Sequence, residues 1–343
     1  MGRDIFDRVT LVIPTCDRHF YLHKVLSYYC VQGFPIRVLV LDSSVQPVQD
    51  EGLLELLSNT RVCYRRLDHD TDIWSKIVTA ARLVETPYYV LCADDDFITV
   101  KGIVQSASFL DEHSDYEVAQ GYHVMFRIDE DRDGDERFCW CTHKWPEESN
   151  DSEDAESRLR FHFVNYQHTF YGVHRTDRVE EFHRDNIRLQ IAPYLSEMLP
   201  SMLTAIRGKI KVLDVLYQVR ELIPKKAARP ANIGQWVRNG TYQEKYAPFR
   251  ACLAMNLSKY AGVDLQRAGA IVDDSMFKYF AIYYRNLPSA MSVWRQRFRV
   301  AQIPWFDFRD AVGLSDSEYY ADFDAIRRHA LSFVPRLVLE GAC

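Results

Sequence analysis

Three consecutive carboxylates, Asp94, Asp95 and Asp96, follow directly after the apolar segment 87–93. The Tyr, Val and Leu residues of that segment suit a buried strand, and open α/β sheets bind ligands where their strands end. Adjacent acids repel one another unless a cation or hydrogen-bond donors lie nearby. Mg²⁺ and Mn²⁺ prefer carboxylate oxygens and keep coordination sites free for phosphate. The run therefore predicts a metal–diphosphate site, with a solvated acidic turn as the alternative.

Polar residues also follow two earlier strand patterns. The first pattern ends in Pro14-Thr15-Cys16-Asp17-Arg18, and the second, over residues 36–41, ends in Asp42-Ser43-Ser44. A helical pattern separates each strand pattern from the next. This alternation predicts a βαβ series that gathers the polar residues at one edge of a parallel sheet.

These three motifs resemble those of the family 2 glycosyltransferases. The segment 13–18 resembles the family's opening motif, which usually reads V-I-P-T-Y-N-R, although Cys16 and Asp17 replace its Tyr and Asn. Leu41-Asp42-Ser43-Ser44 resembles the family's D-D-G-S turn, and Ala93-Asp94-Asp95-Asp96 resembles its D-x-D metal motif. The resemblance covers residues 9–220, and the three motifs occur in the family's order.

The resemblance implies an α/β fold of GT-A type, which is Rossmann-like, with a mostly parallel sheet flanked by helices. We expect residues 1–222 to form the catalytic domain that binds the nucleotide sugar. Residues 223–343 are expected to form a helical C-terminal region that binds the acceptor or a partner, because helical patterns dominate there.

The resemblance also implies a set of site residues. Asp96 is the expected main ligand of Mn²⁺ or Mg²⁺, assisted by Asp94. The residues expected to bind the donor are Pro14, Thr15, Asp17, Arg18, Asp42, Lys76, Asp94 and Asp95, with Asp42 accepting a hydrogen bond from a base N–H. Alternatives remain open, since Thr15 and Asp42 could cap the helices that follow them, and Lys76 could be a solvated helix residue.

Glu197 is the expected catalytic base, by analogy with the family's acid at the head of a helix in this region. Partial burial among apolar neighbours is expected to raise its pKa toward a useful range. The alternative is a first-turn Glu that interacts with the helix dipole, and Asp185 is the reserve candidate for the base.

Together these residues predict a metal-dependent, inverting glycosyltransferase. It would move a sugar from a nucleotide-diphosphate donor to a hydroxyl of a saccharide or lipid-linked acceptor, in bacterial cell-surface polysaccharide or glycolipid synthesis. The alternatives are a non-catalytic module that binds sugar nucleotides and a nucleotidyltransferase, which the lack of a G-x-x-x-x-G-K-[ST] loop disfavours. Gln218, Arg220, Gln235 and Trp236 weakly echo the Q-x-x-R-W motif of processive members.

Composition and hydropathy indicate which partners and which cellular compartment to expect. A net charge of −6 and a pI near 6.0 argue against a nucleic-acid-binding protein. No apolar run approaches the roughly 18 residues that span a bilayer, and no signal peptide is visible, so a cytoplasmic protein is expected. The basic and aromatic segment 294–306 could place it at the inner face of the membrane. The eight scattered cysteines fit reduced thiols.

The remaining segments carry expectations about structure. Residues 118–127 and 137–145 predict a hairpin, and the acidic segment 147–158 predicts a loop. Residues 161–174 have strand character, whereas residues 186–206 have a helical pattern that is entered after Ala192-Pro193.

Overall fold

The computed structural model describes residues 5–33, 35–130, 137–143, 147–223, 233–283 and 318–333. Within these ranges nine strands form one sheet. They are β1 (Val9–Thr15), β2 (Arg37–Asp42), β3 (Val62–Arg66), β4 (Tyr88–Leu91), β5 (Asp96–Ile98), β6 (Tyr116–Glu130), β7 (Arg137–His143), β8 (Val173–Arg175) and β9 (Lys209–Glu221). The spatial order is β3-β2-β1-β4-β8-β6-β9-β5, and β7 pairs with β6.

The sheet is mixed. β1 pairs in parallel with β2 and β4, β2 pairs in parallel with β3, and β6 pairs in parallel with β9. The pairs β4–β8, β6–β8, β6–β7 and β5–β9 are antiparallel. The expected α/β fold is therefore confirmed, but the regular alternation of parallel strands and helices holds only from β1 to β4, and β6–β9 is a further parallel pair outside it. The alternation ends at Asp96, because β5 pairs with a strand that lies more than a hundred residues later.

Helices cover both faces of the sheet. The described helices are α1 (His19–Val31), α2 (Glu51–Leu57), α3 (Ile73–Leu83), α4 (Val100–Glu112), α5 (Ala155–Val164), α6 (Thr176–Arg188), α7 (Pro193–Arg207), α8 (Ile233–Arg238), α9 (Tyr242–Ala261), α10 (Leu265–Tyr283) and α11 (Glu318–Ser332). The main core contains buried residues of α1, α4 and α11 packed with residues of the sheet. A smaller core on the other face contains residues of α3 and α6.

A second large core lies among helices. It joins α5, α6 and α7 to α8, α9 and α10, with Phe163, Leu199, Phe249 and Val272 all fully buried. Both large cores cross residue 222, since α11 packs on the sheet and α5–α7 pack on the C-terminal helices. The expected division into residues 1–222 and 223–343 therefore stays a prediction about function, and it does not follow a boundary between cores.

Two local expectations, the end of the predicted loop over residues 155–158 and the strand character of residues 161–174, are wrong. Residues 155–164 form α5, because Asp154 caps the helix by accepting the Ser157 N–H at 2.8 Å and the apolar residues follow a helical period. Strand structure in the segment 161–174 is limited to the start of β8. The helix expected to be entered after Ala192-Pro193 is confirmed as α7, which begins at Pro193, whereas residues 186–188 belong to the end of α6.

The acidic segment 147–158 is anchored and is not a loose loop. Asn150 exchanges backbone hydrogen bonds with Ile210 at 2.8 and 3.1 Å. The buried guanidinium of Arg158 donates to the carbonyls of Ala205 and Ile206. These contacts attach the segment to β9 and to the C-terminal end of α7.

None of the helices in the described ranges combines the length and apolar character needed to cross a membrane. The expected membrane-contact segment 294–306 lies outside the described residues, as does the tip of the β6–β7 hairpin.

Candidate functional site

The carboxyl edge of the parallel strands brings the three sequence motifs together. Thr15 ends β1 and is paired in register with Asp42, which ends β2. The buried Thr15 hydroxyl donates a 2.7 Å hydrogen bond to Oδ2 of Asp94. The opening motif, the β2 turn and the acidic run are therefore neighbours, as the βαβ pattern predicts.

Arg18 joins the opening motif to two of the three carboxylates. It lies just before α1 and its guanidinium contacts both Asp94, at 3.3 Å, and Asp95. Burial raises the pKa of Asp94 to about 6, although Arg18 and the Thr15 hydroxyl oppose that rise. The Arg18 side chain is 39% exposed, so this cation faces solvent at the mouth of the site.

Asp96 is the most enclosed of the three acids, with 2% of its surface exposed. It begins β5 and is in register with Arg220 of β9. Its Oδ2 accepts from Nε of Arg220 at 3.0 Å and from Nε2 of Gln218 at 2.9 Å. Burial raises the pKa of Asp96 to about 7 against the attraction of Arg220, and the charges of Asp95 and Asp94 add to the rise.

Asp42 is fully buried, and protein groups occupy both of its oxygens. Oδ1 accepts the backbone N–H of Ser44 at 2.7 Å, while Oδ2 is bonded to the Tyr64 hydroxyl at 2.6 Å and to Nε2 of His19 at 2.9 Å. Burial alone would raise the pKa of Asp42, but these hydrogen bonds outweigh it and lower the pKa. In this geometry Asp42 positions His19 and Tyr64, and its contact with a nucleotide base stays a prediction.

Asp17 fixes the loop after β1 against the turn after β2. Asp17 has a φ of 53°, in the left-handed region that Asp and Asn tolerate better than most residues. Its N–H donates to the Ser44 hydroxyl at 2.7 Å and its Oδ1 accepts the Val45 N–H at 2.9 Å. Pro14 is buried one residue before Thr15, within β1. These two residues shape the loop that carries Arg18.

Lys76 is buried and is not the solvated helix residue of the alternative interpretation. Asp72 caps α3 by accepting the Trp74 N–H at 2.8 Å, and this cap fixes where Lys76 lies one turn later. Nζ donates to the backbone carbonyl of Thr15 at 2.6 Å. Burial lowers the pKa of Lys76, and the nearby acids Asp42 and Asp94 oppose that change. The Lys76 ammonium group therefore lies directly beneath the loop that follows β1.

Glu197 lies in the second turn of α7 and is exposed, so the expected burial of this carboxylate is wrong. Pro193 starts the helix, and the side chains that flank Glu197 turn inward while its own turns outward. The reserve candidate Asp185 lines a cavity between α6, α7 and α9. There it is bonded to Arg188 at 3.0 Å and to the Cys252 thiol at 3.3 Å.

Tyr171 packs on Arg220 beside the acidic turn, and sequence reasoning did not identify it as a site residue. Its ring lies 5.1 Å from the guanidinium carbon of Arg220. Burial raises the pKa of Tyr171, Arg220 opposes this, and the charges of Asp96 and Glu197 raise it further. The negative charges of Asp96 and Glu197 therefore both disfavour ionisation of the Tyr171 hydroxyl.

Gln218 and Arg220 matter for a different reason than the processive motif suggested. Both hold Asp96, whereas Trp236 is 4% exposed within the helical core and packs near Tyr194. The alternation of β9 could have indicated that Gln218 and Arg220 share a face. The register that aims this face at Asp96 is not readable from the sequence.

The donor set suits a hard divalent cation, because it consists of carboxylate oxygens. Asp96 and Asp94 are the residues that would hold it. In the described ranges no three His, Cys, Asp or Glu side chains are already arranged around a common metal position. The raised pKa values of Asp94 and Asp96 mark a site where added positive charge would favour the ionised carboxylates.

Solved structures resemble this chain, although no family model and no curated protein matches its sequence. S. aureus TarS 1–349 in complex with UDP aligns with a TM-score of 0.50 at 15% identity, over 95% of this chain and 88% of that one. The complex with UDP-GlcNAc aligns with a TM-score of 0.50 at 16% identity, over 81% and 74%. TarS is a glycosyltransferase. The chain described here has a glycosyltransferase fold. It spans 45% of the longer TarS structure.

Proposed function

We propose that the chain is a family 2-like glycosyltransferase that is metal-dependent and inverting. It would move a hexosyl group from a nucleotide-diphosphate sugar to a hydroxyl acceptor. The observation that carries the proposal is the meeting of Thr15, Arg18 and the three carboxylates at one edge of a glycosyltransferase fold. Because the similar structures hold UDP and UDP-GlcNAc, a uridine donor is the first to test.

The leaving diphosphate gains negative charge as the glycosidic bond breaks, so the site must offer positive charge there. Mn²⁺ or Mg²⁺, held by Asp96 and Asp94, would supply part of that charge. Arg18 is partly exposed at the mouth of the site, and Lys76 lies under the loop that follows β1. These two cations extend the positive charge along the edge where a nucleotide would bind.

Arg220 and Gln218 fix the carboxylate of Asp96 in one orientation. A ligand that is already held in place loses little conformational freedom when a cation binds. Asp42, Ser44 and Tyr64 in the same way hold the turn after β2, where the base of the nucleotide is expected.

Glu197 would take the proton from the acceptor hydroxyl, and the sugar would be inverted because attack comes from the side opposite the diphosphate. Its exposure suits this role, since an acceptor must reach the carboxylate.

The acceptor in this proposal is a saccharide or a lipid-linked saccharide of a bacterial cell-surface polymer, used on the cytoplasmic side of the membrane. The acidic net charge and the absence of a nucleotide-phosphate loop in the sequence favour this over nucleic-acid or nucleotidyl chemistry.

Release of UDP from UDP-GlcNAc by the purified protein tests the proposal. We expect UDP to accumulate with Mn²⁺ or Mg²⁺ present and to stop when EDTA removes the metal. UDP-GlcNAc that binds but is never turned over, with any saccharide added, would favour the non-catalytic binding module instead. A parallel set with GDP- and CDP-sugars separates the choice of nucleotide from the presence of activity.

A further inference from the structure

A row of four aromatic side chains follows α5 and leads along one side of the site. We call Tyr166, His168, Phe170 and Tyr171 the aromatic row. Consecutive ring centroids lie 5.1 Å apart between Tyr166 and His168, 5.4 Å between His168 and Phe170, and 4.4 Å between Phe170 and Tyr171. Phe170 is buried, whereas the other three rings are partly exposed. His168 stands edge-on to both of its neighbours, at interplanar angles of 77° to Tyr166 and 73° to Phe170, so the row offers separate ring faces and edges.

The two ends of the aromatic row contact residues or backbone next to Asp96 and at Glu197. At one end, Tyr171 packs against Arg220, which is bonded to Asp96. At the other, the Tyr166 hydroxyl lies 3.4 Å from the backbone carbonyl of Glu197 and 3.1 Å from Nδ1 of His168. The row therefore runs from the α7 backbone at Glu197 to the Arg220–Asp96 pair. An acceptor must place its hydroxyl between the leaving diphosphate and the base.

The row is also anchored at its outer end. The Tyr166 ring packs against His162 of α5 and Tyr279 of α10, with centroids 5.9 and 6.0 Å away. Contacts to two helices hold the ring in one position, which is the condition for a preorganised binding surface.

We propose that the aromatic row is the acceptor subsite and that it takes a saccharide with pyranose rings, an inference that rests on the proposed function. A pyranose presents a face of C–H bonds and a rim of hydroxyls. Aromatic rings bury such apolar faces, and the polar tips of Tyr and His can bond to the rim. An open-chain polyol has the hydroxyls but lacks the flat face.

Calorimetric titration of the protein, saturated with UDP and Mn²⁺, tests the subsite with cellotetraose, maltotetraose and chitotetraose as probes and sorbitol as the ring-free comparator. We expect at least one tetrasaccharide to bind at least about tenfold more tightly than sorbitol. H168A should weaken that binding about three- to tenfold, the usual worth of one aromatic contact. H168F keeps a ring and should restore most of the affinity, whereas F277A, which removes a 71% exposed ring on α10, should not change it.

Several results would overturn the subsite. They are no binding of any tetrasaccharide, equal binding of sorbitol, no effect of H168A, or a loss in H168F as large as in H168A. The last result would mean that the hydrogen bond of His168 to Tyr166 matters and its ring face does not. UDP affinity is measured on every preparation. Intact UDP binding with no saccharide binding rejects the subsite alone, and a wild-type protein that does not bind UDP rejects the proposed function as well.

Discussion

Asp96 is held by Arg220 and Gln218, while Asp94 and Asp95 share the more exposed Arg18. The three carboxylates therefore differ in rigidity, although they are adjacent in sequence. Burial alone would favour the neutral acid at Asp96, and the Arg220 cation opposes this. The pair is fixed by strand register, which makes Asp96 the best-positioned ligand of the three.

Asp96→Asn should reduce Mn²⁺-dependent affinity for UDP by at least about 100-fold, because removing a ligand costs more than removing a group behind it. It should also lower the melting temperature, since Arg220 loses its carboxylate partner. Calorimetry and thermal unfolding measure the two effects.

Asp111→Asn is the matched control for that variant. Asp111 also pairs with an arginine, Arg8, and accepts a hydrogen bond from the Tyr88 hydroxyl. Tyr88 begins β4, so this pair lies at the amino-terminal ends of the parallel strands, away from the acidic run. This variant should lose stability and keep its UDP affinity. Equal loss of UDP affinity in both variants would show that Asp96 acts through stability alone.

Glu197→Gln should lower turnover about 10²- to 10⁴-fold and leave UDP affinity unchanged, because a base faces the acceptor. The melting temperature should stay within the small range of a surface change, since Glu197 is exposed. Steady-state UDP release and UDP titration on one preparation separate these quantities. Near-normal turnover would remove Glu197 as the base. The alternative of a first-turn Glu at the helix dipole is wrong, because Glu197 lies in the second turn of α7 and the dipole effect falls off within the first turn.

At the residue scale, sequence reasoning succeeds where a motif follows directly from the end of a strand. Thr15, Asp42 and the acidic run were placed at one edge because parallel strands end there together. It did not find Tyr171 or the role of Arg220, because both act across chain segments that are distant in sequence. The exposure of Glu197 was missed because apolar neighbours in a helix point to other faces than the residue between them.

At the element scale, α11 is part of the sheet's core, although residues 284–317, which precede it, lie outside the described ranges. Phe323 and Ile326 are fully buried, and the Phe323 ring lies 6.2 Å from that of Phe126 in β6. This packing means that the sheet depends on residues far beyond position 222. Elements near the C-terminus therefore contribute to the same folding unit as the site.

Phe323→Ala should lower the free energy of unfolding by about 3–5 kcal/mol, the usual cost of removing a buried Phe side chain. Denaturant unfolding followed by circular dichroism measures it. The control is Phe277→Ala on α10, where the ring is 71% exposed and the expected cost is under about 0.5 kcal/mol. Similar small costs in both variants would mean that α11 is not part of the sheet's core.

The elements that sequence patterns predicted best are those with a regular strand–helix alternation, from β1 to β4. The pattern failed at α5, where Phe161-His162-Phe163-Val164 looks like a strand. Its helical state depends on the Asp154 cap and on Arg158, whose guanidinium binds carbonyls at the end of α7. That second contact joins residues about fifty positions apart, so no local pattern contains it.

At the scale of the whole molecule, two large cores hold the elements that carry the site residues. The core that includes the sheet carries the carboxylates, and the helical core carries α7 with Glu197 and the outer end of the aromatic row. The donor and acceptor sides of the proposed reaction thus rest on different packing units. Mutations in the helical core should affect acceptor use before they affect nucleotide binding.

The central claim is that the edge where Thr15 meets Asp94 binds a nucleoside diphosphate. Calorimetric titration of UDP, with and without Mn²⁺, into the wild-type protein and into Thr15→Val tests it most directly. Val keeps the shape of Thr15 and removes the hydroxyl that orients Asp94 at 2.7 Å. We expect one UDP site that needs Mn²⁺ and is weakened about tenfold or more in Thr15→Val. Absence of UDP binding to the wild-type protein, or metal-dependent binding of equal strength in both proteins, would contradict the account.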